Sequence, residues 1–165
     1  MRQTRFVLED PLLRFWFRFV FPHQSAVLRL GPTRAFAEIV KPELDAYFGS
    51  CFERLCREAL ADLYAVDGVS DFTIGEWWDP TAQIDVVGLR DDGWTDLAEC
   101  KWGPITSVPK IVAELERNVR AYPNARAATI GRRIFARRLP PPSARAKIAG
   151  VVWHSLDQLY DLEPG

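Results

Sequence analysis

Gln83-Ile84-Asp85-Val86-Val87-Gly88-Leu89, Arg90-Asp91-Asp92-Gly93, and Trp94-Thr95-Asp96-Leu97-Ala98-Glu99-Cys100-Lys101-Trp102 form the stretch that decides the fold. Its flanks are rich in β-branched and apolar residues, and its centre carries Asp-Gly, a strong hairpin signal. The pattern predicts two strands, 83–89 and 95–102, paired as neighbours across a short turn. Alternation assigns Leu97, Glu99 and Lys101 to one face and Ala98, Cys100 and Trp102 to the other. Asp85, between Ile84 and Val86, then comes close to Glu99 with Lys101 just beyond. Three ionisable groups would lie in strands that read as buried, and buried charge is costly unless it is paired or binds metal.

Working outward, Phe72 to Trp78 reads as a preceding strand, ended by Asp79-Pro80. Before it, Phe48, Phe52, Leu55, Cys56, Ala59 and Leu63 recur at helical spacing and predict a helix over 47–65, with Glu53 at the edge of the apolar stripe. After the hairpin, Gly103-Pro104 closes the third strand. A helix over 107–121 follows, carrying Ile111, Val112, Leu115 and Val119 on one face. A fourth strand is expected at 127–135 and a fifth at 151–153. Ser155 is placed to cap a short last helix. A hairpin followed by a helical crossover predicts a mixed sheet flanked by helices.

The N-terminal part is different. Asp10-Pro11 suits an N-cap and first helical position. The helix expected from Pro11 to Phe21, ended by Pro22, is apolar on nearly every side: Leu12, Leu13, Phe15, Trp16, Phe17, Phe19 and Val20 cannot all face one small core. It is expected either to be buried between layers or to dock on a second copy or a partner protein. Two regions are therefore expected, an N-terminal helical extension over 1–46 that packs on the core and an α/β core over 47–165.

The composition narrows the functional classes. At 165 residues with 48% hydrophobic content, the chain can bury a sizeable core. No apolar run reaches the roughly 20 residues of a membrane span. Together with cysteines that fit no zinc spacing, this points to a cytoplasmic protein. Two histidines leave little for a catalytic triad or a histidine-based zinc site. Net charge is split. Residues 1–99 hold 10 Lys/Arg and 17 Asp/Glu, a net of −7, and residues 100–165 hold 11 and 5, a net of +6. The basic half could follow a phosphate backbone, or could be a solvated arginine-rich surface. Of the six tryptophans, Trp77, Trp78, Trp94, Trp102 and Trp153 lie in or beside predicted strands, where core packing is their expected role.

Two carboxylates and a lysine meet the needs of phosphodiester hydrolysis. Mg²⁺ or Mn²⁺ takes one or two carboxylates and keeps several waters. The cation polarises the phosphoryl oxygen and activates water, and a lysine beside it orients that water or stabilises charge at phosphorus. Asp85 and Glu99 are the candidate metal ligands, Glu53 a third from the preceding helix, and Lys101 the catalytic cation. Glu58 competes with Glu53. Trp102, beside the site, is a candidate nucleic-acid contact. The competing reading is a same-face ion pair between Glu99 and Lys101 on a solvated strand.

The chain also resembles a known family. Phe6-Val7-Leu8-Glu9-Asp10-Pro11-Leu12-Leu13-Arg14-Phe15-Trp16-Phe17-Arg18-Phe19-Val20, Phe52-Glu53-Arg54-Leu55-Cys56-Arg57-Glu58, Ile74-Gly75-Glu76-Trp77-Trp78, Ile84-Asp85-Val86-Val87 and Glu99-Cys100-Lys101-Trp102 follow one another as in the C-terminal domain of the archaeal-type AAA ATPase family. That domain is similar to the PD-(D/E)XK nucleases, whose fold is restriction-endonuclease-like. The resemblance implies an active site of Glu53, Asp85, Glu99 and Lys101 and a Mg²⁺-dependent nuclease acting on DNA. It also implies nucleic-acid contacts at Lys110 and Arg117, on the helix after the motif, for which a solvated helix face is the alternative. A catalytically silent interaction or nucleic-acid-binding module, and a toxin or defence nuclease, are the alternatives. Gln83 stands where relatives tend to carry an acid. No Gly-rich phosphate loop is present, so the resemblance implies a free-standing domain, a fragment, or one part of a split system.

Overall fold

A computed structural model describes Leu8 and residues 10–161. Phe6, Val7 and Glu9 of the family-like stretch lie outside the described residues, as do residues 1–5 of the first expected region and 162–165 of the second. The chain divides into two compact units, Met1–Cys51 and Phe52–Gly165.

The first unit is helical, and Pro22 does not end its first helix as expected. Asp10 caps α1 (Pro11–Phe15), its carboxylate accepting the Leu13 N–H at 2.8 Å. The helix then widens into a π-turn over Trp16–Val20, where the Phe21 N–H reaches back to the Trp16 carbonyl. A 3-10 turn, Phe21–His23, takes in Pro22, and α2 continues over Gln24–Leu30. The sequence of turns then repeats. Pro32 opens α3 (Pro32–Ala35), a π-turn spans Phe36–Val40, a 3-10 turn takes in Pro42, and α4 runs over Leu44–Val66. A proline ring clashes with the carbonyl four residues back and offers no N–H. Widening the turn just before it lets the helical path continue. Phe19, Val40 and Tyr47 form a small core with Phe15 beside them, and the Tyr47 hydroxyl donates to the Pro11 carbonyl at 2.6 Å. Leu12, Leu13, Trp16, Phe17 and Phe21 stay exposed, Leu12 at 75%. The aromatic stretch is thus buried along one line only.

The second unit has the expected class, a mixed α/β sheet with flanking helices. Strands β1 (Phe72–Trp78), β2 (Gln83–Arg90), β3 (Trp94–Lys101), β4 (Thr129–Ala136) and β5 (Val152–Ser155) lie in the order β1-β2-β3-β4-β5. The β1/β2 and β2/β3 pairs are antiparallel, and β3/β4 and β4/β5 are parallel. The α5 helix (Val108–Ala121) makes the crossover from β3 to β4, with Ser107 as its N-cap. A short helix α6 spans Pro142–Arg145. Ser155 opens α7 (Leu156–Tyr160) with a full capping box, in which the Ser155 hydroxyl and the Gln158 side chain each satisfy a backbone N–H.

Alternation sorts the core onto two faces. Phe52, Cys56, Ala59, Leu60 and Tyr64 of α4 pack with Val86, Ala98, Cys100 and Phe135 on one face, joined by Leu159 of α7. On the other face Ile84, Val87 and Leu97 meet Val119 of α5 and Tyr122, and Ile111 and Leu115 of α5 pack on Ile134. No helix among the described residues is long and apolar enough to cross a membrane.

Candidate functional site

The ladder between β2 and β3 runs from Leu89–Thr95 to Val86–Ala98, and Asp85 stands one step past its end. On its other side β2 pairs with β1 irregularly. Gly75 faces Val87, yet Trp77 faces Ile84, so β2 carries one residue more than its partner between those pairs. Such a bulge re-aims side chains. It explains why Ile84 joins Val87 on the α5 face while Val86 lies on the α4 face. Simple alternation would put Ile84 and Val86 together. At the bulge the Asp85 carboxylate accepts the Cys100 N–H at 2.9 Å. The Asp85 backbone carbonyl accepts from Arg57 at 3.1 Å. A side chain thus takes a β3 backbone donor where the ladder has stopped, which pins Asp85 beside the end of β3.

Glu99 and Lys101 share the α5 face, as alternation predicts. Lys101 Nζ lies 2.9 Å from Glu99 and 3.4 Å from Glu114 of α5. The Asn118 amide of α5 donates to the other Glu99 oxygen at 3.2 Å. Cys100 lies on the opposite face against α4, and Trp102 packs there beside Phe52, with ring centroids 5.9 Å apart. The Arg137 guanidinium covers the Trp102 ring at 4.5 Å. Trp102 is therefore held against the α4 face and does not share the face of Glu99 and Lys101.

The electrostatics follow from burial. Asp85 and Glu99 are 9% and 6% exposed. Desolvation pushes the Asp85 carboxyl up to about 6, with the charge of Glu53 adding to the rise and the Cys100 N–H and Lys101 opposing it. Desolvation raises Glu99 to about 7, with Asp85 adding to it and Lys101 opposing it. The two acids therefore feel each other's charge. Lys101 is raised by its two glutamate partners, against the cost of its own burial. Glu53 is the α4 acid whose charge reaches Asp85. Glu58 is exposed and paired with Arg54 at 2.8 Å.

Lys110 lines a cavity of about 200 Å³ together with Lys101, Ser107 and Glu114. Arg117 is largely exposed, 3.9 Å from Glu114. Among the described residues no group of three or more His, Cys, Asp and Glu is set to hold a metal ion. Asp85 and Glu99 are two hard oxygen donors at one locus, and an octahedral cation that keeps its waters needs no more from the protein than that. The residues present fit such an ion bound by two carboxylates, not one enclosed in an all-protein cage.

Sequence reasoning missed Asn118 and Glu114. A signal for Asn118 was there: it falls in the apolar stripe of α5, between Leu115 and Tyr122, and a polar residue on a buried face is informative. It is 5% exposed. Glu114 lies four residues before it, and i, i+4 neighbours share a helix face.

Also missed was a second buried ionic cluster, toward the start of β3. Asp96, 3% exposed, accepts from the Tyr64 hydroxyl at 2.6 Å. Its carboxylate lies 3.0 Å from Arg133 Nε and 3.6 Å from Arg90. Arg133 reaches on to His154 at 3.2 Å. Burial, then the charge of Arg133, pushes His154 down to about 4. Gly131 makes room for this cluster, since a Cβ there would collide with the Asp96 carboxylate, and one at Gly88 would collide with the Tyr64 hydroxyl. Trp94 corrects the expectation of core packing: it is 43% exposed.

Comparison with known proteins gives three matches. A family model described as archaeal and bacterial proteins of unknown function, DUF234, matches residues 16–112. An uncharacterized protein of Methanocaldococcus jannaschii is 30% identical over 122 residues, which cover 70% of this chain and 27% of that protein. The chain thus spans about a quarter of the length of that relative. The crystal structure of a repair endonuclease from Pyrococcus abyssi is similar at a TM-score of 0.40 and 18% identity, covering 66% of this chain and 47% of that one. That likeness is too distant to bear on function.

Proposed function

Since this chain belongs to the DUF234 family of archaeal and bacterial proteins of unknown function, we propose its activity from the site itself: a divalent-metal-dependent nuclease that hydrolyses phosphodiester bonds in nucleic acid, with DNA as the first substrate to assay. The observation that carries the reading is the pair of buried, mutually repelling carboxylates, Asp85 and Glu99, with Lys101 at 2.9 Å from Glu99. Buried acids with raised proton affinity beside one lysine are unfavourable for folding and mark candidate functional sites.

In this reading Asp85 and Glu99 hold Mg²⁺ or Mn²⁺, and Glu53 contributes from α4, directly or through water. When bound, the cation polarises the phosphoryl oxygen and lowers the pKa of the attacking water. Lys101 orients that water or stabilises charge at phosphorus. Asn118 holds the Glu99 carboxylate, and the Cys100 N–H holds that of Asp85. Lys110 and Arg117 contact phosphates flanking the scissile one. The proposal extends to a protein that acts in or beside an archaeal-type AAA ATPase in the cytoplasm. The greater length of the M. jannaschii relative supports a larger parent protein. A toxin or defence role is a variant of the same chemistry.

A second reading has its own observation. Lys101 is held between Glu99 and Glu114, an arrangement that neutralises the site and suits a catalytically silent interaction module. The exposed aromatic stretch from Leu12 to Phe21 would then serve a second copy or a partner protein. Incubation of the purified protein with linear, nicked and single-stranded DNA and Mg²⁺ or Mn²⁺ separates the two. The nuclease reading expects cleavage that chelation abolishes and that falls by at least about a hundredfold in Asp85→Ala and Lys101→Ala. Intact DNA under every condition, or cleavage that persists in both variants, supports the silent module.

A further inference from the structure

Both oxygens of Glu99 are occupied. Asn118 donates to Oε2 at 3.2 Å, and Lys101 Nζ lies 2.9 Å from Oε1. The neutral Asn118 amide holds Glu99 without opposing a cation. The Lys101 ammonium does oppose one, because an ammonium and a divalent cation on a single carboxylate oxygen repel each other strongly. If Asp85 and Glu99 hold a divalent ion, Glu99 can accept it on Oε1 only once Lys101 moves away.

The α5 helix sets where Lys101 can go. Glu114 Oε2 is 3.4 Å from the same Nζ, so the ammonium already lies between two carboxylates. The two differ in their surroundings. Glu99 is buried beside Asp85, while Glu114 is half-buried and lines, with Lys101, the cavity of about 200 Å³. That space is several times the roughly 30 Å³ of one water and leaves the ammonium room to shift. Lysine carries its charge on a flexible four-carbon stem with three donors. A short swing therefore exchanges one glutamate for the other and keeps the charge paired. With Glu114 gone, leaving Glu99 would strand a half-buried ammonium, and an uncompensated charge is costly in proportion to its burial. Arg117 stands 3.9 Å from the other Glu114 oxygen, Oε1, which leaves Oε2 to Lys101.

We propose, resting on the metal-binding reading of Asp85 and Glu99, that Glu114 is a positioning residue: it takes the Lys101 ammonium over from Glu99 when a divalent cation binds. Glu99 is thereby freed, and Lys101 stays at the site. Glu114 acts through Lys101 and is not itself a ligand. Titration calorimetry of the full chain with Mn²⁺ tests this in four proteins: wild type, Glu114→Gln, Lys101→Ala and the double variant. Glu114→Gln should weaken Mn²⁺ binding by about tenfold, the low end of the 10–100-fold range for groups around a metal. Lys101→Ala, which removes the competitor, should bind Mn²⁺ at least as tightly as wild type. Adding Glu114→Gln to Lys101→Ala should then change nothing, since the two residues act as one unit. Thermal midpoints check that the variants fold, and if Glu114→Gln is unstable, Glu114→Ala carries the same cycle. An equal loss in both backgrounds makes Glu114 a ligand or a remote charge and overturns the proposal. So does a Glu114→Gln protein that binds Mn²⁺ as wild type does. Wild type that binds no Mn²⁺ at all is a separate failure: it removes the metal reading of Asp85 and Glu99, and the role of Glu114 falls with it.

Discussion

The β3 strand buries acids near both ends, and the two ends treat them in opposite ways. Asp96 is surrounded by donors: the Tyr64 hydroxyl, Arg133 and Arg90. Glu99, with Asp85 beside it, has only an amide, a backbone N–H and a half-buried lysine shared with Glu114. Both arrangements bury charge, but only the second leaves it under-compensated. A buried carboxylate ringed by cations is part of the architecture. Two carboxylates crowded together with a shared lysine keep a standing affinity for protons or for another cation. The contrast separates a structural ionic cluster from a candidate reactive one without reference to any relative.

Removing the acid is the strongest way to break that comparison. In Asp96→Ala, Arg133 and Arg90 lose their common anion within the fold. Deleting one partner of a buried pair costs about 3–5 kcal/mol, and urea unfolding should show a loss of that order. Asp85→Asn and Glu99→Gln, which remove charges the fold does not balance, should leave stability unchanged or raise it. If they destabilise the protein as much as Asp96→Ala does, the distinction between the two ends fails.

The next effect is smaller and depends on pH. The folded values of about 6 for Asp85 and about 7 for Glu99 lie above their ordinary values of 3.8 and 4.5. The folded state therefore binds protons more tightly than the unfolded chain. The stability these two acids contribute is complete below their ordinary values and is lost as pH rises through their folded values. Relative to an Asp85→Asn, Glu99→Gln double variant, the wild-type protein should lose a few kcal/mol between about pH 4 and about pH 8 in metal-free buffer. His154 works the other way. Its value is depressed to about 4, so its contribution is lost as pH falls, and it cancels in the wild-type-minus-variant difference. A flat difference across that range would remove the electrostatic argument for the site.

Much of this contrast was legible in the sequence only at the Glu99 end. Asp85, Glu99 and Lys101 stand out because charged residues interrupt apolar strands, and Asp-Gly fixes how those strands meet. The cap at Ser155 was legible for the same local reason. The Asp96 cluster was hidden because its members, Tyr64, Arg90, Arg133 and His154, are far apart in sequence and meet only through the sheet. Arg132 and Arg133 read as part of a basic patch, yet Glu116 and Asp96 hold them. The bulge that aims Asp85 was equally hidden, since no residue type announces the extra position in β2. Pro22 reads as a helix end, while the preceding π-turn, a cooperative backbone adjustment, carries the helical path through it.

The smallest effect distinguishes the two glutamates of α4. Glu58 is exposed and paired with Arg54 one turn back. A surface pair of this kind adds a few tenths of a kcal/mol, about 0.2–0.5. Glu58→Gln should therefore barely shift the unfolding midpoint and should leave Mn²⁺ affinity, followed by titration calorimetry, unchanged. Glu53→Gln removes the charge that helps raise Asp85. If Glu53 belongs to the metal shell, the substitution weakens Mn²⁺ binding by about an order of magnitude, in the range of 10–100-fold seen on losing groups around a metal. If Glu53 only repels Asp85, the substitution eases the ionisation of Asp85 and Mn²⁺ binds at lower pH with no loss of affinity. The sign of that one change decides whether the under-compensated end of β3 holds two acids or three.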